Sequence, residues 1–484
     1  MTEGAPAESA LPGAEGADGG GLRRGLGRRQ MTLLGLGSAL GTGLFLGAGS
    51  TISVAGPAVL LSYAAGALIA LTVALALGEM VSALPVRGSF GALAARYLGP
   101  FAGFAVRYLY WMGLIAGIGS EVVAAALYVR FWWPEIPLAA AVVTFAVLVT
   151  AVNLIGVKSF GTTESVLSAV KVLAVLAFLV VGVVLVVFGL PEWPATGVSN
   201  WTAHGGFLPN GGLSVWLVMA VVVFSFAGIE LVAISAPEAR DPAGSLRTAL
   251  RSLIVRLALF YLGAIAIMLA VTPWPELAGH SSVEQSPFVV MFAAAGVPAA
   301  ATVTNVVVLV TALSAVNANL YAATRMLHSL GGDGLAPASL AVTDRRGVPR
   351  RAVLVSACGL LLTAVLAEFS GSAVFPLLLS LGSFAVIATW ITILLTLRAF
   401  RRDPDRPPST VRLRGGRVTP LLGVAALLSV YGTAVYVPEM RMACFVGVPV
   451  LLALGIAHRV LRARRGRATA TTPGPVDSPS PKGS

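Results

Sequence analysis

Charge is scarce in this chain of 484 residues. Only 11% of them are Asp, Glu, Lys or Arg, against about 25% in an ordinary soluble domain. Cysteine is nearly absent: Cys358 and Cys444 both lie in apolar stretches, at no spacing that suggests a metal site or a disulfide framework. His204, His280, His328 and His458 fall in loops or near the ends of apolar segments and form no metal cluster, so no cofactor is expected. Paired aspartates or a Ser/His pair at membrane depth are missing, which argues against an intramembrane enzyme. The short alternating segments of a membrane β-barrel are missing as well. The first twenty residues are rich in Gly, Ala and Glu and have no apolar core, so no cleavable signal peptide is expected.

What is present is hydrophobic length. Apolar residues make up 57% of the chain, the mean hydropathy is +0.87, and a membrane-spanning helix needs about 20 such residues in a row. The sequence predicts twelve spans, at roughly 30–51, 57–83, 101–131, 137–157, 165–189, 213–236, 251–272, 298–329, 351–369, 375–400, 419–437 and 441–461. The apolar stretch 286–296 is too short to cross and is expected to form an external interfacial helix. Residues 1–29 and 462–484 are expected to be disordered tails.

The net charge of +12 does not indicate a nucleic-acid partner. The basic residues gather in short loops on one side, as in Arg23–Arg29, Arg240–Arg251, Arg345–Arg351, Arg401–Arg417 and Arg462–Arg467. Loops 52–56, 190–212, 273–297 and 370–374 contain no Lys or Arg. This bias predicts a multi-pass plasma-membrane protein with both termini cytoplasmic.

Two of the spans are interrupted. Gly41-Thr42-Gly43 breaks the first, and Ser225-Phe226-Ala227-Gly228 breaks the sixth. Unwound backbone inside a bilayer survives only where it is buried or lines a cavity. Matching breaks in two halves point to the substrate site of a secondary transporter. Spans one to five and six to ten have the same order. Because five is odd, the second set must be inverted. The expected fold is all-α, a five-plus-five inverted repeat over 30–190 and 213–400, with two extra helices over 419–461. The glycines carry a second reading, since Gly37-x-x-x-Gly41, Gly43-x-x-x-Gly47 and Gly113-x-x-x-Gly117 also suit close helix packing.

Glu121, Lys171 and Glu230 lie deep in the spans, where an ionisable group costs a few kcal/mol. Each is a functional candidate, set against a structural role as a buried pair or packing bond. Glu79 and Arg107 lie nearer the ends and read as structural.

The motifs Gly41-Thr42-Gly43-Leu44, Leu77-Gly78-Glu79-Met80, Phe224-Ser225-Phe226-Ala227-Gly228-Ile229-Glu230 and Arg345-Arg346-Gly347-Val348-Pro349 together resemble the amino-acid permease branch of the amino acid–polyamine–organocation superfamily. The resemblance runs from about residue 24 to 400, and more loosely to 465. Ala227-Gly228-Ile229 departs from the Gly-Gly-Thr often seen there. The resemblance implies proton-driven amino acid import. Alternatives are an exchanger or a carrier of γ-aminobutyrate or polyamines.

Residue roles follow from the resemblance and from physics. Free N–H groups at a half-helix start bind anions, so Thr42, Gly43 and Leu44 are expected to hold the substrate carboxylate. Carbonyls of Phe224, Ser225 and Ala227 are expected to face its ammonium, with Phe224 and Phe226 as aromatic lids. Gly117, Glu121, Ser314, Asn317 and Ser383 are expected near the substrate side chain. In similar proton-driven permeases a span-five lysine stands where sodium-driven relatives bind the ion, which assigns proton coupling to Lys171, with Glu164 as a possible partner. Burial disfavours a lysine's charged form, so its protonation can change within a cycle. Glu230 is expected either to titrate or to bond N–H groups freed around Gly228.

Overall fold

The computed structural model describes residues 47–470, except 87, 190–193, 236–243, 245, 247, 249, 251, 254–256, 279–286, 295, 298 and 371–373. Gly41, Thr42, Gly43 and Leu44, and so the first break, lie outside the described residues. Those described form helices and turns, with no strand among them.

The chain begins with α1 (Gly47–Ala55), which a tight turn at Gly56–Ala58 joins to α2 (Val59–Ala83). Gly56 has φ +59°, and a Cβ there would meet Pro209 at 2.6 Å, so only glycine fits. The first span was expected to end at 51; the helix instead runs on to Ala55, because Thr51–Ala55 are apolar or bond back to their own turn, as Thr51 Oγ1 does to Ala48 O at 2.9 Å.

Next come α3 (Ser89–Tyr97), α4 (Pro100–Val129), α5 (Leu138–Ile155) and α6 (Val157–Val187). The last starts eight residues before the expected 165, so Glu164 lies two turns inside the helix. The sixth span appears in three pieces, α7 (Gly211–Leu217), α8 (Met219–Ser225) and α9 (Leu231–Ser235). A wide-turn π segment, Leu257–Gly263, leads into α10 (Ala264–Val271). Two short helices follow, α11 (Trp274–Ala278) and α12 (Pro287–Ala294), the second at the stretch expected to be interfacial. Then come α13 (Ala300–Gly332), α14 (Arg350–Ser370), α15 (Val374–Phe400), α16 (Val418–Thr433) and α17 (Pro438–Ala470). Helix α17 runs to Ala470 through a stretch rich in Ala and Arg, both strong helix formers.

Among the described residues, eight helices are long and apolar enough to span a membrane, and three more apolar helices are shorter. Their outer faces expose Leu68, Leu173, Val180, Leu362 and Leu452. An apolar exterior of this extent suits lipid rather than water. The interior centres on α4, which packs against α13 and α15. Glycines on α4 make this possible. A Cβ at Gly113 would stand 2.2 Å from Ala385 Cβ, and one at Gly119 would stand 2.6 Å from Thr363 Oγ1.

Among the ion pairs of the described residues at the arginine-rich end, two join distant parts of the chain. Glu79 is 3% exposed and accepts from Arg401 Nε at 2.9 Å, from Arg401 Nη2 at 2.6 Å and from Leu413 N–H at 2.8 Å. Arg107 donates to Asp333 at 2.5 Å, to Ser329 Oγ at 3.0 Å and to Gly103 O at 3.1 Å. Removing one member of a buried pair strands the other. Arg401→Gln is therefore expected to cost about 3 kcal/mol, read as a lower unfolding temperature of the detergent-solubilised protein. An unchanged transition would show that the pair contributes little.

Candidate functional site

The sixth-span break organises the site. Helix α8 stops at Ser225, and the chain turns through Gly228 at φ +94°, a conformation that favours glycine. Ala227 N–H bonds Phe224 O at 2.9 Å, and Leu231 N–H bonds Gly228 O at 3.1 Å. Two of the groups this leaves over are met by side chains. Gly228 N–H donates to Glu230 Oε2 at 3.0 Å, and Ser225 O accepts from Tyr261 Oη at 2.5 Å. The other Glu230 oxygen accepts from Trp390 Nε1 of α15. Glu230 is wholly buried, so its carboxylate stands among donors rather than in water.

A cavity of about 50 Å³ opens beside this turn, several times the roughly 10–15 Å³ that one water needs. One wall is a single face of α4: Tyr110, Gly113, Leu114, Gly117 and Glu121. The opposite wall is the break itself, with Phe224, Ser225, Ala227, Gly228 and Glu230. Ala315 and Asn319 of α13, and Ala385 and Val386 of α15, close it. The Phe224 ring is wedged over α15: a Cβ at Gly382 would meet it at 2.6 Å, while one at Gly117 would only touch it, at 3.8 Å.

Several expected residues lie elsewhere. Phe226 does not line the cavity. It is fully buried beneath it, its ring 6.0 Å from that of Tyr63 and 4.6 Å from that of Tyr261. Ser314 and Asn317 also face away. Ser314 Oγ donates to Glu164 at 2.6 Å and Asn317 Nδ2 at 3.1 Å. The reason is helical phase: Ala315 and Asn319, four apart, share the cavity face, and 314 and 317 fall on the neighbouring face toward α6. Ser383 Oγ donates to Leu379 O within its own helix, at 2.8 Å. Lys171 is 1% exposed on α6, two turns beyond Glu164 on the same helix face. Sequence reasoning missed Tyr110, Asn319 and Trp390. Asn319 was legible as a polar residue in an apolar span, but nothing marked Trp390 as a partner of Glu230.

Residues 30–469 match the amino acid permease family. The chain belongs to this family. Relatives include the aromatic amino acid transport protein AroP of Escherichia coli (strain K12) and of Salmonella typhi. Each is 38% identical over 443 residues, covering 90% of this chain and 95% of the relative. An uncharacterized amino acid permease, YtnA of Bacillus subtilis, is 35% identical over 430 residues, covering 88% and 92%. The protein is a multi-pass membrane permease that transports amino acids, not an enzyme.

Two predictions follow from the geometry of this permease. Gly382→Ala should push the Phe224 ring into the cavity and weaken uptake at least tenfold. Gly117→Ala, with ordinary contact distances, should fold normally and affect only bulky substrates. Equal uptake kinetics in the two variants would contradict the wedge. In Glu230→Gln one of the two N–H donors would face an amide NH2, at a cost of about 1–3 kcal/mol. Uptake should fall while keeping its dependence on pH. Loss of that dependence with substrate binding intact would make Glu230 a titrating group instead of a brace.

Proposed function

We propose that this permease imports amino acids with large apolar or aromatic side chains across the plasma membrane, by symport with protons. The observation that carries the reading is the cavity between the glycine face of α4 and the sixth-span break. A broken helix offers backbone groups to the α-amino acid moiety, and the space over Gly117 is left to the side chain. The names of the AroP relatives support an aromatic substrate. On this reading Thr42, Gly43 and Leu44 hold the carboxylate, and Ser225 and Ala227 face the ammonium. Phe224 and Glu121 stand at the side chain. Lys171 takes and releases the coupled proton. The arrangement is two inverted repeats, 30–190 and 213–400, followed by two helices, 419–461. The one-sided distribution of arginine supports cytoplasmic termini.

The experiment is radiolabelled uptake into proteoliposomes, with competition by all common amino acids and imposed pH or sodium gradients. Aromatic amino acids should compete best, their amides at least tenfold less well, and accumulation should follow the proton gradient alone. Lys171→Ala should abolish gradient-driven accumulation while leaving substrate binding. Uptake that requires external sodium at fixed pH would overturn proton symport, and full competition by amides would overturn the carboxylate assignment. Counterflow without gradient-driven accumulation would mark an exchanger.

A further inference from the structure

A buried polar seam runs between α6 and α13, on the side of α13 turned away from the cavity. On α6, Phe160, Glu164, Ser168 and Lys171 recur every three or four positions and share one face. On α13, Ser314, Asn317, Tyr321 and Arg325 do the same. Glu164, 1% exposed, lies in the middle. It accepts from Ser168 Oγ at 3.0 Å, Ser314 Oγ at 2.6 Å and Asn317 Nδ2 at 3.1 Å. Asn317 Oδ1 in turn accepts from Asn153 Nδ2 at 3.0 Å, which brings in α5. Toward the arginine-rich end, the rings of Phe160 and Tyr321 stack at 4.0 Å, and the Arg325 guanidinium lies 3.8 Å over Tyr321.

Three donors converging on a carboxylate stabilise its anion. A carboxylate held in this way, when ionised, fixes the field around it. On the same face of its own helix, two turns on and equally buried, stands Lys171. Seven residues of helix separate their Cα atoms by about 10 Å. Among the described residues, the other groups along the seam have partners of their own. Arg325 is held on Tyr321, Asn153 of α5 does not titrate, and Tyr261 of the π segment donates to Ser225. Helices α10 and α12, which also pack on α6, contain no titratable residue.

We propose that Glu164 is a positioning residue for proton coupling: a counter-charge locked in place by α13 that sets the pH at which Lys171 gains and loses its proton. This rests on the reading of Lys171 as the coupling site. It adds to it that the charge controlling Lys171 is clamped by Ser314 and Asn317, on the helix that also faces the cavity.

The test is the initial rate of radiolabelled phenylalanine uptake by full-length protein in proteoliposomes, against external pH. Four proteins are compared: the unaltered protein, Glu164→Gln, Glu164→Asp and Ser314→Ala. Removing the negative charge makes the ammonium harder to form, so Glu164→Gln needs more acid. Its half-maximal pH should fall by about one unit, the effect of a unit charge at this separation. Glu164→Asp keeps the charge and should keep the midpoint. Ser314→Ala takes one hydrogen bond from the anion and should shift the midpoint the same way, by about half a unit. It decides the matter alone if Glu164→Gln does not fold. Lower rates at an unmoved midpoint in Glu164→Gln and Ser314→Ala would overturn the proposal and leave Glu164 as a helix fastener. Uptake by the unaltered protein that ignores pH would overturn proton symport itself, and this inference with it.

Discussion

A backbone that leaves the helix inside a membrane must find partners for its N–H and C=O groups, because lipid supplies none. Much of this permease's interior follows from meeting that demand at residues 225–230. Gly228 N–H requires an acceptor, and the chain supplies the Glu230 carboxylate two residues on. A buried carboxylate then requires a second donor, and Trp390 comes across from α15. Ser225 O is met by Tyr261, from the π segment that precedes α10. One break thus draws three stretches of chain into fixed relation.

The glycines of α4 are the complement of this constraint. Gly113 and Gly119 are filled spaces, occupied by Ala385 and Thr363, and they bring α15 and α14 close. Gly117, between them, is left open, with only the Phe224 ring nearby at ordinary contact. The same helix face therefore does two things. Its ends fasten the bundle and its middle makes room. Phe224 is the hinge of the arrangement, pressed on Gly382 on one side and bordering the open space at Gly117 on the other.

Hydropathy made the span order and the all-α class legible, and the cluster of small and polar residues after Phe224 made the sixth-span break legible. Helical phase was not. Helix α4 is apolar nearly all round and α13 carries polar residues on more than one face, so periodicity does not say which face meets the cavity. That is why Asn317 was expected beside the substrate, whereas it is Asn319, two positions on, that lines the cavity. The early start of α6 was hidden as well, since Ser159–Ser165 is polar for a span. Those polar groups are tolerated because they bond inward, Ser165 Oγ to Gly161 O and Glu164 to α13.

Helix α13 carries two faces on one rigid rod, its residues turning about 100° at each step. Ala315 and Asn319 face the cavity, and Ser314 and Asn317 hold Glu164. A rotation of this helix about its axis cannot move one set and leave the other. Under the proposed reading, substrate occupancy and proton occupancy act on opposite sides of the same element. One helix, α13, then separates the cavity from Glu164, and Lys171 stands two turns farther along α6. The seam's three hydrogen bonds on Glu164 make that junction stiff, because a carboxylate held from two helices resists displacement in any direction that breaks a bond.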